Sequence, residues 1–277
     1  MPKNLKSTFF KLTGVKVRSV DEINGGNSNL NYKVNDSYVL RMPPIYRDPI
    51  LNYKNEYNVY EAIKDLGISE KISYFNVQTG IKISRFVHNA RPYISYPSKI
   101  EINFVAKTLK KLHSSKIKVS NTFNFEEALK IYKKDLPQYF IIDKTKEEKI
   151  INNYLTRVEK DPLVLCHNHL SQNDLLFKYN NVVIIDWEHA SMNSVYYDLA
   201  CFISENNLNK DDEITFLSKY FGSTYTKTKQ NIVQIYLAAY DLLTYYWAQH
   251  MFVKKGDSIY ITIAADKLRR LNYYTIK

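Results

Sequence analysis

A change in hydrophobic period at His88-Asn89-Ala90 divides this chain into two unlike parts. Ahead of it, short segments alternate in polarity as strands do, over residues 15–23, 29–34, 38–42, 71–76 and 80–87. One amphipathic helix interrupts them at 50–66, with Tyr53, Tyr57, Tyr60 and Ile63 at helical spacing, and Pro43-Pro44 ends the strand before it. Behind it, helical patterns dominate: 100–114, 125–133, 147–160, 211–220, 228–254 and a last helix from about 258. A single strand-rich stretch breaks that run, at 163–166, 175–179 and 182–186. The expected class is therefore α+β. A small antiparallel sheet with one helix forms a first lobe, residues 1–87, and a mostly helical second lobe spans 88–277. No repeat or low-complexity linker separates them, so they are predicted to share a cleft. A chain of 277 residues with 45% hydrophobic content can bury a large core, which excludes disorder, collagen and small disulfide scaffolds.

Net charge is +11, a balance that alone would suit an anionic partner such as nucleic acid, a membrane surface or a nucleotide. The charge is unevenly spread. Residues 161–213 hold nine acids against only Lys178 and Lys210, a segment of −7 that leaves +18 for the rest. An enzyme that binds metal ions places acids among its motif residues in this way, whereas a nucleic-acid binder would need a recognisable basic module, and none accompanies the charge. The two cysteines, Cys166 and Cys201, form no CxxC pair, so neither a disulfide framework nor a zinc site is expected and a reducing cytoplasm fits. MPKNLKSTFF has no basic-then-apolar run of a signal peptide, and the longest apolar runs fall far short of the roughly 20 residues of a membrane span.

Two segments carry chemistry. Cys166-His167-Asn168-His169-Leu170-Ser171-Gln172-Asn173-Asp174 is followed by Ile184-Ile185-Asp186-Trp187-Glu188: a strand, a polar loop and a hairpin that together can aim side chains at one metal–phosphate centre. Phosphoryl transfer requires this layout, because it needs positioning groups, one or two Mg²⁺ ligands and cations around the phosphates. Asp174, Asn173 and Asp186 offer the oxygen ligands that magnesium prefers. Glycine is scarce, with 7 in the chain, so the Gly25-Gly26 doublet in INGGNSNLNYKV stands out as a turn between strands.

These motifs resemble the choline/ethanolamine kinase family, in its bacterial branch, within the aminoglycoside-phosphotransferase-like, protein-kinase-like superfamily. That family reads H-N-D-L-x-x-x-N-L-L, I-D-W-E and D-L-A-x-F-x-x-E, and this chain has His167-Asn168-His169-Leu170, Asp186-Trp187-Glu188 and Asp198-Leu199-Ala200-Cys201-Phe202-Ile203-Ser204-Glu205. The resemblance implies a two-lobed protein-kinase-like fold and an ATP- and Mg²⁺-dependent phosphotransferase. It implies that Asp186 binds metal and that residues 24–29, with Asn27, Ser28 and Asn29, hold the nucleotide phosphates. Arg41 takes the basic strand position against those phosphates, and Glu56 is its implied ion-pair partner, with Glu61 as the alternative. Arg85 and Phe86 fall on the inter-lobe hinge whose backbone would bind adenine. His113, in Leu112-His113-Ser114, is read as structural.

The departures matter. The family's catalytic Asp is here His169, and its loop Asn is here Asp174, with Asn173 one place early. A neutral imidazole can accept a hydrogen bond from a hydroxyl, but it brings no negative charge. On the acceptor side, Tyr240, Asp241, Thr244 and Trp247 recur at helical spacing, where the family shows D-L-L-W-x-x-W-A; Thr244 replaces the first Trp, and Tyr245 or Tyr240 could fill its place. Such a stripe also arises from core packing. The resemblance implies a cationic head held by Trp247 and Tyr240 with Glu188 and Glu205. The expected substrate is choline or ethanolamine. A pseudokinase, and a kinase for another alcohol such as thiamine or an aminoglycoside, are the alternatives.

Overall fold

A computed structural model describes residues 5–23, 29–44, 46–93 and 98–274. Its first part is an antiparallel sheet in the order β1-β2-β3-β5-β4, built from β1 (Val20–Ile23), β2 (Leu30–Val34), β3 (Tyr38–Met42), β4 (Ile72–Phe75) and β5 (Lys82–Arg85). β2 turns into β3 through Asn35, Asp36 and Ser37, with Asn35 and Asp36 at positive φ (52° and 51°) and the Ser37 N–H donating to Val34 O at 3.1 Å. Period-2 alternation sends Tyr32, Val34, Leu40 and Ile83 to one face, where Leu5 and Phe9 of α1 (Leu5–Thr13) cover them. That helix is not foreseen from the sequence, and the strand expected at 15–23 shortens to Val20–Ile23.

α2 (Tyr53–Ile63) starts at Asn52, whose side chain accepts from the Asn55 N–H, and a 3₁₀ turn, Lys64–Leu66, extends it. Its apolar stripe, Val59, Tyr60 and Ile63, packs into the core of the helical part. That part contains α3 (Lys99–His113), α4 (Phe125–Lys133), α5 (Lys144–Val158), α6 (Val195–Glu205), α7 (Lys210–Phe221), α8 (Lys227–Lys255) and α9 (Ile259–Tyr273). β6 (Arg91–Pro92) pairs with β8 (Leu175–Lys178), which pairs with β9 (Asn181–Ile184), while β7 (Leu163–Cys166) pairs with β10 (Ser191–Ser194). α6 escapes sequence reading because Tyr196 through Ser204 are all buried, leaving no polar stripe to reveal a period.

The parts are joined by more than the chain. The Ile184 N–H donates to Ile68 O at 2.7 Å, and Asn55 Nδ2 donates to Ala190 O at 2.7 Å. Both bonds meet near the hairpin end that carries Asp186, so the sheet and that hairpin are set against one another. No helix is long and apolar enough to cross a membrane among the described residues.

Candidate active site

A cavity of about 550 Å³ opens beside that hairpin and is lined by Asn29, His169, Asp174, Asp186, Glu188, Glu205, Tyr240 and Trp247 among others. Arg41 of β3 lies buried behind its wall, against the lining residues Asp186 and Glu188. Both of its terminal nitrogens donate to the two Glu56 oxygens at 2.7 Å, and the pair is almost wholly buried. A bidentate fork of this kind fixes the guanidinium plane. The same guanidinium reaches Asp186 at 3.4 Å, Glu188 at 3.7 Å and the Gly80 carbonyl at 3.2 Å. Burial works against its charge, but Glu56, Asp186 and Glu188 outweigh it and raise its pKa. A second buried cation stands behind it: Lys82 donates to the Tyr60 hydroxyl at 2.6 Å and bridges Glu56 and Glu70 at 3.4 and 3.3 Å.

The loop from β7 to β8 is shaped by Asp198 at the start of α6. This carboxylate accepts from the His167 N–H at 2.9 Å and the Asn168 N–H at 2.6 Å, and it pairs with His113 Nε2 at 3.0 Å. His113 is thus structural, its other nitrogen bonded to the Tyr220 hydroxyl. Asn168 takes a left-handed conformation, φ 66°, held by bonds to His189 O and Ser191 and by Asn193. Asp186 is left-handed too, at φ 64° and ψ 58°. Such residues persist only where their surroundings over-determine them, and they concentrate at functional sites.

Charge at the loop is tuned by proximity. Burial pushes the Asp174 carboxyl up to about 7, aided by Asp186, while His169 and two bonds from Ser171 pull the other way. For Asp186 burial again acts upward, yet Lys82, Arg41 and His189 overcome it and hold the carboxyl below its ordinary range. Glu188 is driven well up by burial and by Asp186, against Arg41. The imidazoles His189 and His167 are lowered to about 3 and about 4, chiefly by burial. His169 stands among these groups with its Nε2 4.0 Å from Asp174 and its Nδ1 3.5 Å from the Tyr240 hydroxyl.

The far end of the cavity is aromatic and apolar: Tyr132, Tyr240, Leu243, Trp247, Ile259 and Ile263. Glu205 lies there, but Lys267 of α9 donates to it at 2.8 Å and also to Ser204 at 2.7 Å. Burial would raise the Glu205 carboxyl; Lys267 overrides this and brings it down to about 2. Asp241 does not share the cavity face with Tyr240, Thr244 and Trp247, as helical spacing predicts. It turns instead into α9, where Arg270 at 2.9 Å, Tyr274 and Lys267 hold it.

The predicted site residues therefore divide into groups. Asn29, His169, Asp174, Asp186, Glu188, Glu205, Tyr240 and Trp247 come together on the cavity wall, with Arg41 and Glu56 behind it, and Glu61 is left on the exposed side, bonded to Lys64. Asp174 is buried whereas Asn173 is exposed. Asn27 and Ser28 lie outside the described residues. Arg85 and Phe86 do not line the cavity: their N–H groups donate to Lys71 O at 2.8 Å and Ser37 O at 2.9 Å, and the Arg85 guanidinium lies over Tyr38. Those two backbone donors are thus engaged by neighbouring carbonyls, and the adenine-binding role of the hinge backbone stays an expectation from the family resemblance. Sequence reading did not anticipate Lys82, Asp48 or Lys267.

The family model for choline/ethanolamine kinases matches residues 20–260. The chain belongs to that family. Protein LicA of Haemophilus influenzae is 24% identical over 246 residues, covering 81% of this chain and 71% of its own length. Among solved structures, the choline kinase LicA from Streptococcus pneumoniae superposes with a TM-score of 0.84 at 22% identity, over 98% of this chain and 99% of the other. A structure of LicA in complex with AMP gives 0.83 at 22% identity, over 98% and 97%. The fold of this family member is thus that of the kinase-like superfamily.

Proposed function

We propose that this chain transfers a phosphoryl group from ATP to the hydroxyl of choline or ethanolamine. The observation that carries the reading is the Arg41–Glu56 fork, which presents one fixed guanidinium nitrogen 3.4 Å from Asp186 on the wall of the cavity. A family model for choline/ethanolamine kinases and a neighbour solved with AMP support it.

In this reading Arg41 neutralises phosphate oxygens, and Glu56 keeps it from following the substrate. Asp186 and Asp174 suit Mg²⁺, because both are carboxylates on the wall of one cavity. When bound, the metal would neutralise charge on the transferring phosphates. His169 stands at the base position and would accept the hydrogen bond of the acceptor hydroxyl, oriented by Tyr240. Trp247 and Tyr240 offer faces to an ammonium head, a contribution of about 0.5–2 kcal/mol per ring.

His169 also favours a second reading, a pseudokinase that binds nucleotide or amino alcohol without efficient turnover. Losing a positioned carboxylate base costs about 10²–10⁴ in rate. Coupled ADP release with ATP, Mg²⁺ and choline, ethanolamine or thiamine decides between them. Turnover by the wild type that disappears in Asp186→Ala supports the kinase. If only His169→Asp turns over, the pseudokinase reading stands.

A further inference from the structure

Two carboxylates back the aromatic end of the cavity, and they are opposite in kind. Glu205 is already paired: Lys267 donates to it at 2.8 Å and lies 5.3 Å from the Tyr240 ring centroid, the very position an external ammonium would take between an acid and a ring. With Asp241 balanced by Arg270 and Lys267, this corner carries no free negative charge. Asp48, in the stretch between β3 and α2, differs. It is 7% exposed and accepts from the Tyr132 hydroxyl at 2.9 and 3.0 Å, from the Ile50 N–H at 3.1 Å and from Trp247 Nε1 at 2.7 Å. None of these donors is a cation.

No salt bridge to Asp48 occurs among the described residues. The cations that share its small neighbouring cavity, Arg47 and Lys255, lie over the rings of Tyr53 and Tyr260 at 4.6 and 5.6 Å. A buried carboxylate without an ion-pair partner is costly, and burial raises its pKa, offset only in part by these hydrogen bonds and by the more remote His169. Its bond to the indole N–H has a further effect: negative charge at the edge of the ring makes the face more attractive to a cation. That face belongs to Trp247, which lines both the small cavity and the main one.

We propose that the acceptor's cationic head is held against Trp247 with Asp48 as its counter-charge, and that Glu205 is not its ligand because Lys267 holds that place. The inference rests on the phosphotransferase reading only for where the acceptor sits, so it is tested by binding and not by turnover.

Choline and its uncharged isostere 3,3-dimethylbutan-1-ol would be titrated by calorimetry into the wild type, Asp48→Asn and Glu205→Gln, each checked for folding by circular dichroism. Fluorescence supplies a second readout. Of the two tryptophans only Trp247 lines the cavity, and a ligand-dependent change that is absent from Trp247→Phe reports it. The wild type should prefer choline by at least about tenfold, a margin within reach of a desolvated cation–π pair. Asp48→Asn should abolish that preference while leaving the isostere within about twofold, and Glu205→Gln should cost choline less than about threefold. A wild type with no preference for choline overturns the proposal, as does a tenfold loss in Glu205→Gln or an equal loss of both ligands in Asp48→Asn. Should Asp48→Asn not fold, Glu205→Gln decides alone: retained choline preference supports the assignment and lost preference overturns it. Absence of ADP release with these binding differences intact would remove the kinase reading and leave the cation site standing.

Discussion

Gly80 shows how little freedom single positions near the site retain. Its φ is +73°, and a Cβ there would lie 2.3 Å from the Tyr53 ring, while its carbonyl accepts from Arg41. Gly80→Ala must therefore strain the backbone and displace Tyr53, and a loss of about 2–3 kcal/mol is expected in urea unfolding. Glu205 offers a test by pH. Its folded pKa of about 2 lies below the ordinary 4.5, so the Lys267 pair stabilises the protein fully above the ordinary value and the contribution fades as pH falls through about 2. The stability gap between wild type and Glu205→Gln, on the order of 3 kcal/mol, should stay level from pH 8 to about 5 and close below about 4. A gap that widens on acidification would contradict the pairing. Arg41, Glu56 and Asp186 were singled out because the family resemblance marks their places on a strand, a helix and a hairpin that local patterns make recognisable. Asp48 and Lys267 were not, since their partners Trp247 and Glu205 lie 199 and 62 residues away.

Among the elements, α6 organises the most chemistry. Asp198 in its first turn accepts two backbone N–H groups of the loop between β7 and β8 and one from His113. Asp198→Ala would leave these donors buried and unsatisfied, which costs about 3–5 kcal/mol, so the melting temperature should fall steeply and nucleotide binding with it. Melting within about 2 °C of wild type would show that the loop holds its own shape. Short apolar strand runs, such as β3 and β7, and helices with one polar face, such as α4, are readable at their true bounds. α6 is not, because it is buried all round, and α1 is not, because only Leu5 and Phe9 mark its inner face. The buried stripe on α8 has both origins that its sequence allows: Tyr240, Thr244 and Trp247 line the cavity, while Asp241 serves α9.

Across the whole molecule, the +11 net charge resolves into an acidic loop region beside a cavity and a basic remainder. A ligand that binds only the folded state raises stability by RT ln(1 + [L]/Kd), about 2.7 kcal/mol at a hundredfold excess over Kd. ATP with Mg²⁺ should thus raise the melting temperature, and Asp186→Ala should remove the part that depends on Mg²⁺. An equal rise in that variant would place the metal elsewhere. The change of period near residue 88 does not tell how the sheet meets the helical part, since Ile68 meets Ile184 across more than a hundred residues of chain. The apolar stripe of α2, Val59, Tyr60 and Ile63, lies in the same core as α3 and β9. A polypeptide cut within 88–90 would consequently yield two fragments, one of which loses Val59, Tyr60, Ile63 and Ile68 from its core while the other exposes them. Neither should persist alone, yet mixed together they should reassemble, and the intact protein should melt in a single cooperative step with amides of α2 and α3 exchanging in concert.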